Sequence, residues 1–168
     1  MEVYKRNSLW LVLSVVIFLL DIWTKNLASS QLQYARPVEI LPILNFTLLH
    51  NPGAAFSFLS DAGGWQRWFF TVISAVVSAV LLVWLFRLQR NEKLLALSLA
   101  LILGGAIGNL YDRVTLGYVV DFISFHYAGR YFPAFNIADS AISVGAVLMI
   151  LDMFFGSQAR SADAEVND

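Results

Sequence analysis

The chain of 168 residues has no cysteine, two histidines and four prolines. Without cysteine there is no disulfide framework, no thiol nucleophile and no Cys-based metal site. His50 and His126 stand apart, and neither belongs to a His-Glu-x-x-His pattern of the kind that zinc peptidases use. No metal and no cofactor are therefore expected. Charge is also scarce: 11 Lys and Arg stand against 12 Asp and Glu, for a net charge of −1. That balance leaves no basic footprint for a nucleic acid, so no nucleic-acid partner is expected.

What is abundant is apolar sequence. The hydrophobic share is 58% and the mean hydropathy +0.66, well above a typical soluble domain. A hydrocarbon core of about 30 Å takes about 20 helical residues to cross. Four stretches meet that length, at residues 9–27, 68–88, 94–111 and 135–155. The chain therefore reads as a single multi-pass membrane domain, mainly α-helical, with outer segments at 29–66 and 112–134 and a polar tail at 157–168 expected to be disordered. Lys5, Arg6, Arg87, Arg90, Lys93 and Arg160 gather beside short connections and termini, which predicts that both termini are cytoplasmic. The first span has some features of a cleavable signal peptide, but Asp21 and Lys25 would fall between its apolar run and Ala28-Ser29-Ser30. A retained anchor is the better reading.

The outer segments are more than linkers. Pro37 and Pro42 break any continuous helix, while Val38, Ile40, Ile43, Phe46 and Leu48 favour strands. Residues 118–125 are similar, flanked by turn residues at Gly117, Gly129 and Pro133, so a small β-rich cradle on the membrane surface is expected. Residues 56–65, apolar with Gly63-Gly64, predict a short interfacial helix or loop. The five tryptophans lie near span ends or outer loops, where interfacial anchoring accounts for them.

Polar residues in or beside the spans fall near one surface: Asp21, Lys25, Asn51, Asn109, Asp112, Arg113, Asp121, Asn136 and Asp139. Several have plain structural readings. Asp21 with Lys25, four apart, suits a helix-end ion pair, and Asp112 beside Arg113 suits a surface pair. Gly104 and Gly108 have the spacing of close helix packing. Asn136 and Asp139 suit the start of the last helix, although Asp139 lies a turn further in. Ser57, Ser124 and Ser140 are outer-side hydroxyls with no Ser-His or Ser-Lys pattern to activate them.

Asp121 and Asp139 remain. A carboxylate beside a bilayer is costly and marks a functional site. Two brought together share a proton and titrate as a unit, which suits amide hydrolysis: one carboxylate activates a water while the other acts as acid.

Five segments, in order, carry a resemblance: Asp21-Ile22-Trp23-Thr24-Lys25; Asn51-Pro52-Gly53-Ala54-Ala55-Phe56; Gly104-Gly105-Ala106-Ile107-Gly108-Asn109-Leu110-Tyr111-Asp112-Arg113; Val119-Val120-Asp121-Phe122; and Phe132-Pro133-Ala134-Phe135-Asn136-Ile137-Ala138-Asp139-Ser140. From Trp10 to Phe155 the chain resembles the bacterial lipoprotein signal peptidases, or signal peptidases II, aspartic peptidases of the inner membrane. The resemblance implies that Asp121 and Asp139 are the catalytic pair, that Asn51, Asn109, Arg113 and Asn136 line or order the site, and that Asp21 and Lys25 support it. Asp112 falls within the third segment, and Gly53 would let backbone approach the substrate. The implied substrate is a diacylglyceryl-modified prolipoprotein in the bilayer, cut just before its lipidated cysteine near the periplasmic surface. Residues 56–65 would form a lid. A monomer among membrane lipids is expected.

Two other classes compete. A small transporter or proton-relay subunit would spread its polar residues through the membrane depth, and an assembly subunit packing on Gly104 and Gly108 would give no reason for the two aspartates.

Overall fold

The structure is a computed structural model that describes residues 2–53, 64–89 and 91–156, with side chains from Ser8 onward. The expected interfacial segment at 56–65 and the polar tail at 157–168 lie outside the described residues, apart from Gly64 and Trp65. The elements run α1 (Glu2–Gln31), β1 (Val38–Leu41), β2 (Leu44–Asn51), α2 (Trp65–Arg87), α3 (Lys93–Thr115), β3 (Val119–Tyr127), β4 (Arg130–Tyr131) and α4 (Ile137–Leu151), with a π-helical turn at Asp152–Gly156.

Four helical segments are long and apolar enough to cross a bilayer: Ser8–Gln31, Trp65–Arg87, Lys93–Thr115 and Ile137–Phe155. Of the α3 span 61% is buried, against 17 to 22% of the others, so α3 is the central post and the rest pack around it. The apolar core joins Leu81 and Leu85 of α2, with Leu88 just beyond it, to Leu95, Leu99, Ile102 and Leu103 of α3, at the end of the bundle away from the sheet. Trp10 packs partly on this cluster, so packing adds to the anchoring expected of it. The outward face of α2, with Val72, Val76, Val80 and Val83 exposed, is left to lipid.

In a bilayer, helices associate by close packing rather than by hydrophobic exclusion, which favours small residues at the contact. Gly104 and Gly108 serve that purpose. A Cβ at Gly104 would lie 2.7 Å from the Ser14 carbonyl oxygen of α1, and one at Gly108 would lie 2.5 Å from Asp21 Oδ2.

The small sheet expected from the outer segments is present, antiparallel, in the order β1-β2-β3-β4. Pro37 precedes β1, and Pro42 sits in the turn to β2. β2 and β3 pair from Leu44↔Phe125 to Asn51↔Val119, with a bulge between Phe46 and Leu49. The first half of β3, Val119 to Phe122, is buried at every position rather than at alternate ones. This part of the strand lies among the ends of α1 and α3. Coverage on both faces removes the alternation a half-exposed strand would show.

Several helix ends differ from the sequence-based bounds: α1 covers Glu2–Gln31 against 9–27, and α4 begins at Ile137 against 135. Two differences bear on the site. α2 begins at Trp65, three residues early, and α3 runs on to Thr115, so Asp112 and Arg113 lie in its last turns rather than in the outer connection. Arg67 is the reason for the second difference. Its Nε donates to the Arg113 carbonyl at 3.0 Å and its Nη2 to that of Val114 at 2.9 Å, satisfying acceptors that a helix end leaves open.

Candidate active site

Asn136 is the N-cap of α4. Its Oδ1 accepts from the Asp139 amide at 2.9 Å, and Asp139 Oδ2 accepts from the Asn136 amide at 3.3 Å, a reciprocal capping box. The structural reading of both residues therefore holds, and it does not exhaust them. Asn136 Nδ2 donates to Asp121 Oδ1 at 2.8 Å, so one residue touches both carboxylates. Asp121 is brought in by β3, where it pairs with Leu49, and its Oδ2 accepts from Asn51 Nδ2 at 3.1 Å. Asp139 Oδ1 accepts from Asn109 Nδ2 at 2.7 Å. All four carboxylate oxygens thus have a donor.

Behind the pair lies a buried charge cluster. Lys25 Nζ is 2.7 Å from Asp21 Oδ2 and 3.0 Å from Asp112 Oδ2, with all three side chains 5% exposed or less. Lys25 also donates to Asn109 Oδ1 at 3.0 Å, which leaves the amide nitrogen of Asn109 facing Asp139. The helix-end pair foreseen for Asp21 and Lys25 is real, but it is internal and shared. The surface pair foreseen for Asp112 with Arg113 is not formed: both residues are buried, and Asp112 pairs with Lys25 instead. Each acid also holds a backbone amide. Asp21 Oδ1 accepts from Ala138 at 2.9 Å and Asp112 Oδ2 from Val120 at 3.1 Å, the residues directly before Asp139 and Asp121.

Arg113 spans the site. Its Nη2 donates to the Gly53 carbonyl at 3.1 Å, its Nη1 to the Asn109 carbonyl at 3.2 Å, and its guanidinium lies 5.7 Å from the centre of the Phe70 ring. Among the described residues Arg113 Nε has no hydrogen-bond partner. The Gly53 amide donates to Asn51 Oδ1, which orients the Asn51 amide toward Asp121. A cavity of about 480 Å³ opens here, lined by Asn51, Asn109, Arg113, Phe132, Phe135 and Asp139 among others. The site residues expected from the sequence therefore converge; Arg67 and the amides of Val120 and Ala138 did not figure among them.

The Asp121 carboxyl is pushed up to about 7. Burial is the main cause and the neighbouring Asp139 charge the second, against the opposing effects of the Asn51 and Asn136 hydrogen bonds and of Lys25. Near neutral pH the pair therefore holds a proton, and it offers an acid beside a base. Of the other candidates only Ser140 lines the cavity beside Asp139 among the described residues. His50 lies between the Tyr34 and Tyr118 rings, Ser140 Oγ donates to the Asn136 carbonyl within α4, and Ser57 is outside the described residues. Among the described residues no three His, Asp or Glu side chains are grouped to hold a metal ion.

Fold and site together define a multi-pass membrane protein with a carboxylate pair, Asp121 buried and Asp139 half-buried, at one end of its bundle. Residues 13–155 match the family model described as signal peptidase (SPase) II. The chain is 55% identical over 165 residues to the lipoprotein signal peptidase of Acinetobacter baylyi, covering 98% of this chain and 92% of that one. It is 56% identical over 164 residues to that of Acinetobacter baumannii (98% and 93%), and 53% over 155 residues to that of Pseudomonas aeruginosa (91% and 92%). Two solved structures of a bacterial membrane enzyme, obtained by the in meso method at 2.3 and 1.9 Å, superpose with TM-scores of 0.78 and 0.76 at 30% identity. They cover 88% of this chain, and 88% and 94% of their own. This chain belongs to the signal peptidase II family.

Proposed function

We propose that this peptidase cuts diacylglyceryl-modified prolipoproteins just before the lipidated cysteine, with Asp121 and Asp139 as the reacting pair. Membership of the family makes the chain a multi-pass bacterial membrane protein and an aspartic-family peptidase that removes signal peptides from prolipoproteins. The observation that carries the proposal is Asn136, whose side-chain amide holds Asp121 and whose main-chain amide holds Asp139. A residue that fixes two carboxylates at once is well suited to keeping them at proton-sharing distance.

With one proton on the pair, the ionised carboxylate takes a proton from water, and the water oxygen bonds to the carbonyl carbon before the cysteine. The protonated carboxyl gives its proton to the carbonyl oxygen. As the tetrahedral diol collapses, the proton taken from water passes to the amide nitrogen, the C–N bond breaks and the diol proton returns to the pair. One water is consumed, and the pair ends as it began. Arg113 lines the cavity, where its guanidinium brings positive charge beside the carboxylates, and it holds the Gly53 carbonyl at 3.1 Å. The cavity is mostly apolar and reaches down α4 to Val144, which suits a lipid-bearing substrate entering from the bilayer. Both termini lie on the cytoplasmic side and the pair faces the periplasm, in keeping with the basic residues opposite the sheet. The chain works as a monomer among membrane lipids.

The transporter reading has no comparable support, because the hydrogen-bonded carboxylate and amide cluster sits at one end of the bundle and the family is a peptidase family. The test is a gel-shift cleavage assay with a diacylglyceryl-modified prolipoprotein in lipid, comparing the native chain, Asp139→Asn and a chelator control. Cleavage that survives chelation and vanishes in the variant is expected. Near-normal turnover by Asp139→Asn would remove that residue from the chemistry.

A further inference from the structure

A second cavity, of about 520 Å³, lies on the sheet and is lined by Ile43, Phe125, His126, Tyr127, Arg130 and Tyr131, with Phe132 completing it. Phe132 lines the cavity beside Asp139 as well, so the two hollows meet at one side chain. The residues around this junction are largely aromatic. Phe135 stacks on Phe125 with ring centres 5.9 Å apart and meets Phe132 edge-on at 6.5 Å, while Tyr131 lies 5.2 Å from the His126 ring. His126 is tied to Asn45 at 3.2 Å, so it acts as wall. Tyr127, Tyr131 and Phe132 are 78%, 63% and 55% exposed. Exposed aromatics gathered around a hollow mark an interaction surface rather than scattered surface apolar residues.

We infer that this groove receives the part of the substrate chain that follows the cut, roughly the fourth to sixth residues beyond it, and prefers acidic and aromatic side chains there. The inference rests on the peptidase reading above. Two observations choose the occupant. The groove belongs to the sheet, outside the spans, so the apolar signal segment, which stays in the bilayer, does not reach it. The segment beyond the cut does, because the groove adjoins the cavity beside Asp139 across Phe132. Spacing sets the positions: Phe125 to Tyr127 lie four to six residues along β3 from Asp121, roughly 13 to 20 Å, which an extended substrate covers in about the same number of residues. Chemistry sets the preference, since Arg130 supplies the cation and Tyr127, Tyr131 and Phe132 supply ring faces.

The test uses full-length enzyme in lipid and three diacylglyceryl-modified prolipoproteins, identical through the second residue after the cut. Beyond that they carry an acidic-aromatic, a lysine-rich or a glycine-serine segment. The native chain should show a KM about two- to fivefold lower for the acidic-aromatic substrate than for the lysine-rich one, the size an exposed ion pair supports. Arg130→Glu should reverse that order, Tyr131→Ala should flatten it, and kcat should stay the same. Equal KM values for all three substrates with the native chain would overturn the inference. So would an equal rise for all three in Arg130→Glu that tracks anionic lipid content, which would assign the groove to the bilayer surface. Failure of the native chain to cut any of them would overturn the peptidase reading, and the groove with it.

Discussion

Asp121 is held where its own charge is disfavoured, and the consequence can be measured in both activity and stability. Its carboxyl, ordinarily at 3.8, is raised to about 7 by burial and by Asp139. As pH rises through about 7 the shared proton is lost and the acid disappears, so kcat should fall about tenfold per unit on the alkaline side; a flat profile to pH 9 would disconnect this group from turnover. Stability carries the same sign. The folded chain holds the proton more tightly than the unfolded one, so this residue's contribution is full below about pH 4 and declines as pH rises to about 7. The shift corresponds to ~4 kcal/mol at most. Asp121→Asn, which cannot ionise, should therefore abolish cleavage yet raise the melting temperature, with a larger gain at pH 8 than at pH 5. Lys25 makes the opposite case. Lys25→Met leaves Asp21 and Asp112 buried beside each other without a cation and should cost about 3–5 kcal/mol; a melting temperature within a degree of native would show that the acids take up protons at little cost.

The site depends on elements meeting at their ends, and Arg67 is where α2 takes part. Its two hydrogen bonds close the end of α3 that carries Arg113, while Phe70, one turn along, faces the Arg113 guanidinium. Arg67→Ala should lower kcat/KM by roughly tenfold with a stability loss of about 1–2 kcal/mol, the scale of a lost charged hydrogen bond. Arg67→Lys should recover part of it. Unchanged kinetics in Arg67→Ala would mean that α3 keeps its last turn unaided. This contact also shows where the sequence stops informing. Asp121 and Asp139 were legible from the cost of a carboxylate beside a membrane and the Asp21–Lys25 pair from its spacing of four, whereas the place of Asn136 and of that pair in the site followed from the family resemblance. Arg67 was not, since it binds carbonyl oxygens that every residue possesses. The partner of Asp112 was not legible either. Arg113 is its neighbour in sequence, but Lys25 is its neighbour in space, and the charge reaches Asn109 across 84 residues. The four spans were visible from length and hydropathy, whereas the end of α3 was set by α2.

For the whole molecule, orientation decides whether the carboxylate pair meets a substrate emerging on the far side of the bilayer. α1, α2, α3 and α4 alternate in direction, so the sheet and the pair lie at one end of the bundle, with the α2–α3 connection at the other. Lys and Arg are retained on the cytoplasmic side. Arg87, Arg90 and Lys93 flank the α2–α3 connection, and Lys5 and Arg6 precede the first span. The absence of cysteine makes this directly measurable, because any introduced thiol is the only one. Glu39→Cys on β1 and Asn91→Cys in the α2–α3 turn are both exposed positions away from the carboxylates. In sealed right-side-out vesicles of the inner membrane, a membrane-impermeant maleimide should label Glu39→Cys at once and Asn91→Cys only after permeabilisation. The reverse pattern would turn the site toward the cytoplasm. There it could not meet a substrate whose cut lies near the outer headgroups, and the mature-chain groove on β3 and β4 would face the wrong compartment. Both variants should keep native cleavage rates, so the labelling reports on the working enzyme.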